Sequence, residues 1–408
     1  DALPIYARTV YVTDISFSGV EVDDKKWLMK KCNLKENSDI STQQIEQALY
    51  QLRGSQSYSS ASYTLKETPE GYHLNFLLQE KYERRINLGI RFDSEEIASL
   101  LVNATADLKT RIPSRLALTG RLGKRYAARI DYTLEPMQQR NFNFSYMFQY
   151  NDINIYEEGD RAYNTTYKYH LAEFGFSDVW YKNFRFGLGL RFEYYKYKDF
   201  LFKKPEISDL KVESEHFLSY FAQVQYNTYD KGRFPSKGSD FRAAYSLYTD
   251  NMAQYNEHAP FSALNASWAS VIPVTRRFSI IPSIYGRILI GRDFPYPLQN
   301  AIGGDVPGFY IPQQLPFAGV TNLELMDNTI MIASIKFRQR MGAIHYLTLT
   351  GNYGLTDSNF FDILKGKQLF GVSAGYGMDS IFGPLEISLG YSNQTDKGSC
   401  FVNLGYYF

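Results

Sequence analysis

The 408-residue chain has no run of about 18 consecutive apolar residues, which excludes a transmembrane helix. It has no surplus of one charge either, with 44 Lys and Arg against 43 Asp and Glu, and so lacks the basic excess of a nucleic-acid-binding protein. Its only cysteines, Cys32 and Cys400, sit far apart without CxxC or metal-ligand spacing and read as unrelated free thiols. There is no G-x-S-x-G elbow, P-loop, H-E-x-x-H or helix-opening G-x-G-x-x-G. The histidines (His73, His170, His216, His258 and His345) are dispersed, none with a second His or Cys at ligand spacing. No enzyme, metal site or cofactor is therefore expected within these residues.

Aromatic residues are plentiful: 34 Tyr and 29 Phe, but 3 Trp. A transmembrane β-barrel needs them as strand formers and as girdles at both membrane interfaces. The mean hydropathy of -0.35 does not exclude such a barrel, because its strands alternate apolar with polar residues.

Residues 1–82 differ from the rest. Residues 1–7 read as a linker, in a chain that starts at Asp1 without Met or signal peptide and is read as trimmed upstream. Val10 to Val20 alternates as a strand and meets a turn at Gly19. Asp23 and Asp24 suit the start of a helix carrying Trp27, Leu28 and Lys31. Ser41 and Gln44 form a capping-box pattern for a second helix striped by Ile45, Ala48, Leu49 and Leu52 and ended by Gly54. Strands Ser60 to Thr68 and Tyr72 to Glu80 follow. The expected order is β-α-α-β-β over 8–82, enough for one small α+β core.

From Arg85 the helical period disappears, and about sixteen alternating segments follow, separated by Gly, Asn, Asp and Pro clusters. The fold class read here is an all-β transmembrane barrel over 83–408. Phe370, Val372, Ala374, Tyr376 and Met378 alternate with Gly371, Ser373, Gly375 and Gly377. Leu385, Ile387, Leu389 and Tyr391 alternate with Glu386, Ser388 and Gly390, and Val402, Leu404, Tyr406 and Phe408 with Phe401, Asn403, Gly405 and Tyr407. One face is apolar enough for lipid, and the small polar face suits a lumen whose glycines permit close interior packing. Connections alternate between short (Ser380 to Phe382) and long (Arg292 to Asn322), like the periplasmic and extracellular ends of a barrel. Arg115, Arg121, Arg129, Arg185, Arg191, Arg242, Arg287, Lys336 and Arg338 fall within strands. Since a mid-bilayer cation on the lipid face costs about 2–4 kcal/mol, they should face the lumen or the interfaces, paired with acids such as Asp131, Glu173 or Glu193.

The β-α-α-β-β unit resembles a POTRA domain, through Ile15-Ser16-Phe17-Ser18-Gly19, the Ile45–Leu52 stripe and the strand Leu74 to Lys81. The remainder resembles the bacterial surface antigen barrel, the fold of BamA, TamA and the two-partner-secretion transporters. Thr228 to Gly238 matches its "D…FP..G" turn, Gly383 to Tyr391 its "GPLR…GY" strand, and Phe401 to Phe408 its final strand. The resemblance implies about sixteen antiparallel strands. It also implies that Tyr406 and Phe408 carry the signal read by the barrel-assembly machinery, and that Gly405, Ile86 and Gly89 lie at the closing seam. The family's sixth extracellular loop folds inward on a V-R-G-F/Y tip. Here the tip is Gly303, Gly304, Asp305, Val306, Pro307, Gly308 and Phe309, so Pro307 stands where Arg is expected and the locking contact must differ.

A single POTRA resembles the layout of patatin-like type V secretion phospholipases. That implies an outer-membrane anchor and translocator, with the POTRA in the periplasm and a patatin-like lipase domain upstream of Asp1. The alternatives are an insertase-type assembly or membrane-biogenesis accessory, opening between the strands near Ile86 to Arg91 and Phe401 to Phe408, and a passive pore. Expected partners are outer-membrane lipid, the assembly machinery during biogenesis, and a periplasmic or client polypeptide at the POTRA, but not nucleic acid.

Overall fold

The computed structural model describes all residues except 1–8, 20–24, 54–57, 81–83, 94–97, 109–111, 113, 138–139, 182, 203–211, 233, 305, 307–309, 381–382 and 406–408. Asp23, Asp24, Gly54, Pro307, Gly308, Phe309, Tyr406 and Phe408 thus lie outside the described residues.

The N-terminal unit contains β1 (Thr9–Ser18), α1 (Lys25–Cys32), β2 (Ser38–Ser41), α2 (Thr42–Arg53), β3 (Tyr58–Thr68) and β4 (Gly71–Glu80). Its sheet runs β2-β1-β4-β3, with β1 and β4 parallel. The capping box forms as read: the Gln44 amide donates to Ser41 Oγ (3.2 Å) and the Ser41 amide to Gln44 Oε1 (2.8 Å). Ile45, Ala48, Leu49 and Leu52 are buried with Leu28, Leu74 and Phe76 in one core. The expected order is corrected by β2, a four-residue strand between the helices. Its sequence Ser-Asp-Ile-Ser buries only Ile40, so it carries no legible alternation and exists because β1 offers it an edge.

The second unit is a closed barrel. Its wall contains β5 (Arg84–Asp93), β6 (Ser99–Leu108), β7 (Ser114–Gly123), β8 (Ala127–Met137), β9 (Arg140–Glu157), β10 (Asp160–Tyr181), β11 (Phe184–Phe202) and β12 (Glu215–Asn227). It continues through β13 (Gly238–Thr249), β14 (Phe261–Pro273) and β15 (Phe278–Ile290). The loop that follows holds three short strands, β16 (Asn300–Ile302), β17 (Gln314–Leu315) and β18 (Glu324–Met326). The wall resumes with β19 (Thr329–Met341), β20 (His345–Asp357), β21 (Lys367–Ser380), β22 (Gly383–Ser392) and β23 (Lys397–Gly405), and β23 pairs with β5 to close the ring. Among the described residues the wall has sixteen antiparallel strands, β15 pairing directly with β19.

Side-chain parity follows the sequence. Phe370, Val372, Leu389 and Tyr391 are exposed on the outer wall, whereas Gly371 and Ser373 are buried inside. The nine strand cations share the inward parity. Arg129 pairs with Asp131 (2.8 Å) and Arg191 with Glu173 (3.0 Å), as read from sequence, while Arg115 pairs with Asp107 (2.7 Å). Glu193 is buried and, among the described residues, pairs with no arginine; it accepts from the hydroxyls of Tyr169 (2.7 Å) and Tyr195 (3.2 Å). These tyrosines also correct the aromatic reading. Tyr163, Tyr167, Tyr169, Tyr195 and Tyr248 point inward and pack with Phe217 and Phe261 into a lumenal core near the long-loop end. Aromatic residues therefore serve a third use, filling the bore.

Candidate functional site

The long loop, residues 291–328, lies inside the barrel. Leu298, Asn300, Ala301 and Ile302 are fully buried, and Phe317 and Val320 nearly so. Two arginines of the wall hold it. Arg287 of β15 donates through Nη1 to the Leu298 carbonyl (2.6 Å) and to Asn300 Oδ1 (2.6 Å). Arg125, at the β7–β8 hairpin, donates through Nη1 to the Tyr310 carbonyl (2.7 Å) with its guanidinium 5.3 Å from the Tyr310 ring centroid. Both guanidinium groups thus reach from the wall and its hairpin into the loop.

Glycines make the fit possible. On the inner face of adjacent strands, a Cβ at Gly390 would lie 2.9 Å from the Gly319 Cα, and one at Gly354 3.1 Å from the Phe317 ring. At Gly371 it would strike the Ala318 carbonyl oxygen. Phe317-Ala318-Gly319 therefore beds into a slot that only residues without a Cβ can line. Gly303 and Gly304 sit at the loop's turn with φ of 145° and 64°. The Gly304 amide donates to the Val320 carbonyl (2.7 Å), and the Phe317 amide to the Gly304 carbonyl (3.1 Å). Val306 packs, partly buried, against the lumenal core.

Glu324 ties the loop to both sides of the mouth. It is 1% exposed and accepts from the Gly159 amide (2.8 Å), in the β9–β10 hairpin, and from Gln394 Nε2 (2.7 Å), in the β22–β23 hairpin. Burial pushes its carboxyl above the usual carboxylate range despite these two bonds. Lys397 and Asp160 join the same hairpins at 2.8 Å.

At the opposite mouth the turn between β12 and β13 folds against the inner wall. Asp230 accepts from the amides of Ser236 (2.8 Å) and Lys237 (3.3 Å) and from the Ser236 hydroxyl. Those hydrogen bonds, Ser236 first, hold its carboxyl down to about 2. The turn thrusts Phe234 (φ 43°) inward, stacked at 4.2 Å on Tyr346 and against Gly377, while Arg338 donates to the Pro235 carbonyl.

The seam contrasts with all this. Among the described residues β23 meets β5 at Asn403–Asp93, Leu404–Phe92 and Gly405–Arg91 only, whereas β22 and β23 share eight pairs. Gly405 has φ 115°, and a Cβ there would strike the Ile90 carbonyl. Of the other seam residues read from sequence, Ile86 is 75% exposed and Gly89 buried. Sequence reasoning missed Arg125 and Glu324, single charged residues in loops with no local pattern. It also missed the Phe317–Gly319 slot, whose signal was the inward glycine row on β20 to β22.

The OMP85 superfamily model matches residues 72–408. No curated protein matches the chain. Among solved structures, BamA from Haemophilus ducreyi lacking POTRA domains 1-3 aligns with a TM-score of 0.76 at 15% identity, covering 98% of this chain and 85% of that one. CdiB from Acinetobacter baumannii aligns at 0.59 and 13% identity (98% and 74% covered), and CdiB from Escherichia coli at 0.60 and 13% (97% and 76%). The structural likenesses establish a shared fold, and with a family match over most of its length this chain belongs to the OMP85 superfamily of outer-membrane barrels.

Proposed function

We propose that this barrel handles polypeptide at its seam, between β5 and β23, as an insertase-type assembly factor rather than by conduction through its bore. The junction carries this reading: its described pairs end on Gly405, a left-handed glycine packed against the Ile90 carbonyl, at the place where the first and last strands of the wall meet. A strand edge that parts from its neighbour exposes unpaired backbone groups, and such edges template further strands. Gly405 weakens the same junction by interrupting regular strand geometry. The loop packed into the bore speaks against the passive pore. Residues 8–82 act as a periplasmic POTRA that presents clients; the two-helix, four-stranded unit supports this, as does a structural match covering 98% of the chain.

The test is a reversible lock. In a Cys400→Ser background, Phe92→Cys with Leu404→Cys places two thiols at paired positions on one face. The protein is reconstituted in liposomes, and folding of a urea-unfolded outer-membrane barrel is followed by heat-modifiable gel mobility. Oxidation should abolish the acceleration and reductant restore it; equal rates in both states would sink the proposal.

A second reading keeps the barrel as the anchor and translocator of an upstream patatin-like lipase domain. The likeness to CdiB favours it. It requires an open reading frame that continues upstream into that domain, and it predicts that the oxidised lock leaves display of the domain unchanged.

A further inference from the structure

The outer wall carries a feature that neither the plug nor the seam uses. Outward-facing Tyr146 (β9), His170 (β10), Tyr194 (β11) and His216 (β12) form one row across four adjacent strands. His170 pairs in register with Tyr194, and Tyr194 with His216. The Tyr146 hydroxyl and His170 Nδ1 share a hydrogen bond of 2.8 Å. Phe192 and the small Ala172, paired with each other, complete a groove of about 480 Å³ beneath the row. A groove of that size is in the range of small-ligand sites.

One step nearer the loop end, Lys168 and Lys196 stand directly opposite each other in register, both exposed on the same outer face. Like charges at opposed positions of a ladder repel. Neither lysine pairs with a carboxylate among the described residues; neighbouring Lys198 does, with Asp199 at 3.5 Å. On one side of the row the outer face is apolar, with Phe174, Phe176, Leu188 and Leu190 exposed, and on the other the strands continue to the end of β11 at Phe202, on the side of the long connections, so the row sits at the outer-leaflet interface. Ordinary snorkelling would satisfy lone lysines, but it does not explain two of them set against each other above an aromatic groove.

We propose that this patch binds the phosphorylated, acylated saccharide of the outer leaflet. An acyl chain lies in the groove over Ala172, the sugar stacks on the Tyr–His row, and a phosphate bridges Lys168 and Lys196. The bridging phosphate turns their repulsion into two charge-assisted contacts.

The full chain is reconstituted in phosphatidylcholine nanodiscs doped with lipid A, or with the same fraction of phosphatidylglycerol. Lipid retained after detergent extraction is counted by native mass spectrometry. Wild type should keep lipid A in preference to phosphatidylglycerol, and Lys168→Gln with Lys196→Gln should lower retention by about tenfold or more. Ala172→Trp, which fills the groove and keeps both lysines, should lower it too. Heat-modifiable mobility verifies that each variant is folded. Unchanged retention in either folded variant, or equal retention of phosphatidylglycerol, overturns the assignment.

Discussion

The loop 291–328 and the β5–β23 junction both close this barrel, one across its bore and the other around its circumference, by different means. The loop is held by buried, charge-assisted hydrogen bonds from Arg287 and Arg125, by Glu324 bridging two hairpins, and by a glycine slot that leaves no slack. The junction, among the described residues, is made of neutral ladder pairs and includes a glycine in left-handed backbone. Buried bonds to charged groups contribute more than neutral ladder pairs, and removing one partner strands the other in a dry site. On the proposed reading, opening is cheapest at the wall and dearest in the bore, the reverse of what a channel needs.

The comparison can be broken from the bore side. Gly319 has φ 83°, and a Cβ there would strike the Tyr391 carbonyl. Gly319→Val should expel the loop and turn a silent protein into a conducting one in planar bilayers, with a loss of about 1–3 kcal/mol from overpacking, while the seam is untouched. If the bilayer stays silent although the variant is folded, the slot is not what seats the loop. Arg287→Ala should leave the loop seated by its slot and the bilayer silent, at a comparable cost of about 1.5–3 kcal/mol because the Leu298 carbonyl and Asn300 lose a buried cationic donor. Urea titration followed by gel mobility reads this directly. A midpoint equal to wild type would show that the loop's apolar packing alone holds it.

The smallest effect concerns the opposite mouth. The folded-state value of Asp230, about 2, lies below its unfolded value of 3.8, so its contribution is fully present above that unfolded value and is lost as pH falls toward 2. Asp230→Asn should flatten the acid limb of the unfolding profile and leave the neutral region nearly unchanged, since the group is exposed and solvent-screened.

Much of this was legible in the sequence, for a physical reason. Lipid on one side of a strand imposes a period of two, so the outward set Phe370, Val372, Leu389 and Tyr391 and the inward arginines could be assigned from parity alone. The Gly303-Gly304 turn marked the loop that enters the lumen. Parity could not say which inward glycines admit it, because Gly354, Gly371 and Gly390 acquire that role only from the register of three strands. It also misplaced part of the tyrosine. A phenol suits an interface and a packed lumen equally, its ring buried and its hydroxyl bonded, as Tyr169 and Tyr195 are on Glu193. Strand β2 escaped because four residues with one buried side chain carry no period.

The Phe234 turn has a consequence for the cell rather than for the fold. With the loop packed into the bore near one mouth and this turn set against the inner wall near the other, the barrel furnishes both ends from its own chain. On the proposed reading, a client strand admitted through the wall passes beside a bore still occupied by the loop. The membrane is then edited without losing its resistance to small toxins, and the barrel can be abundant without becoming a leak.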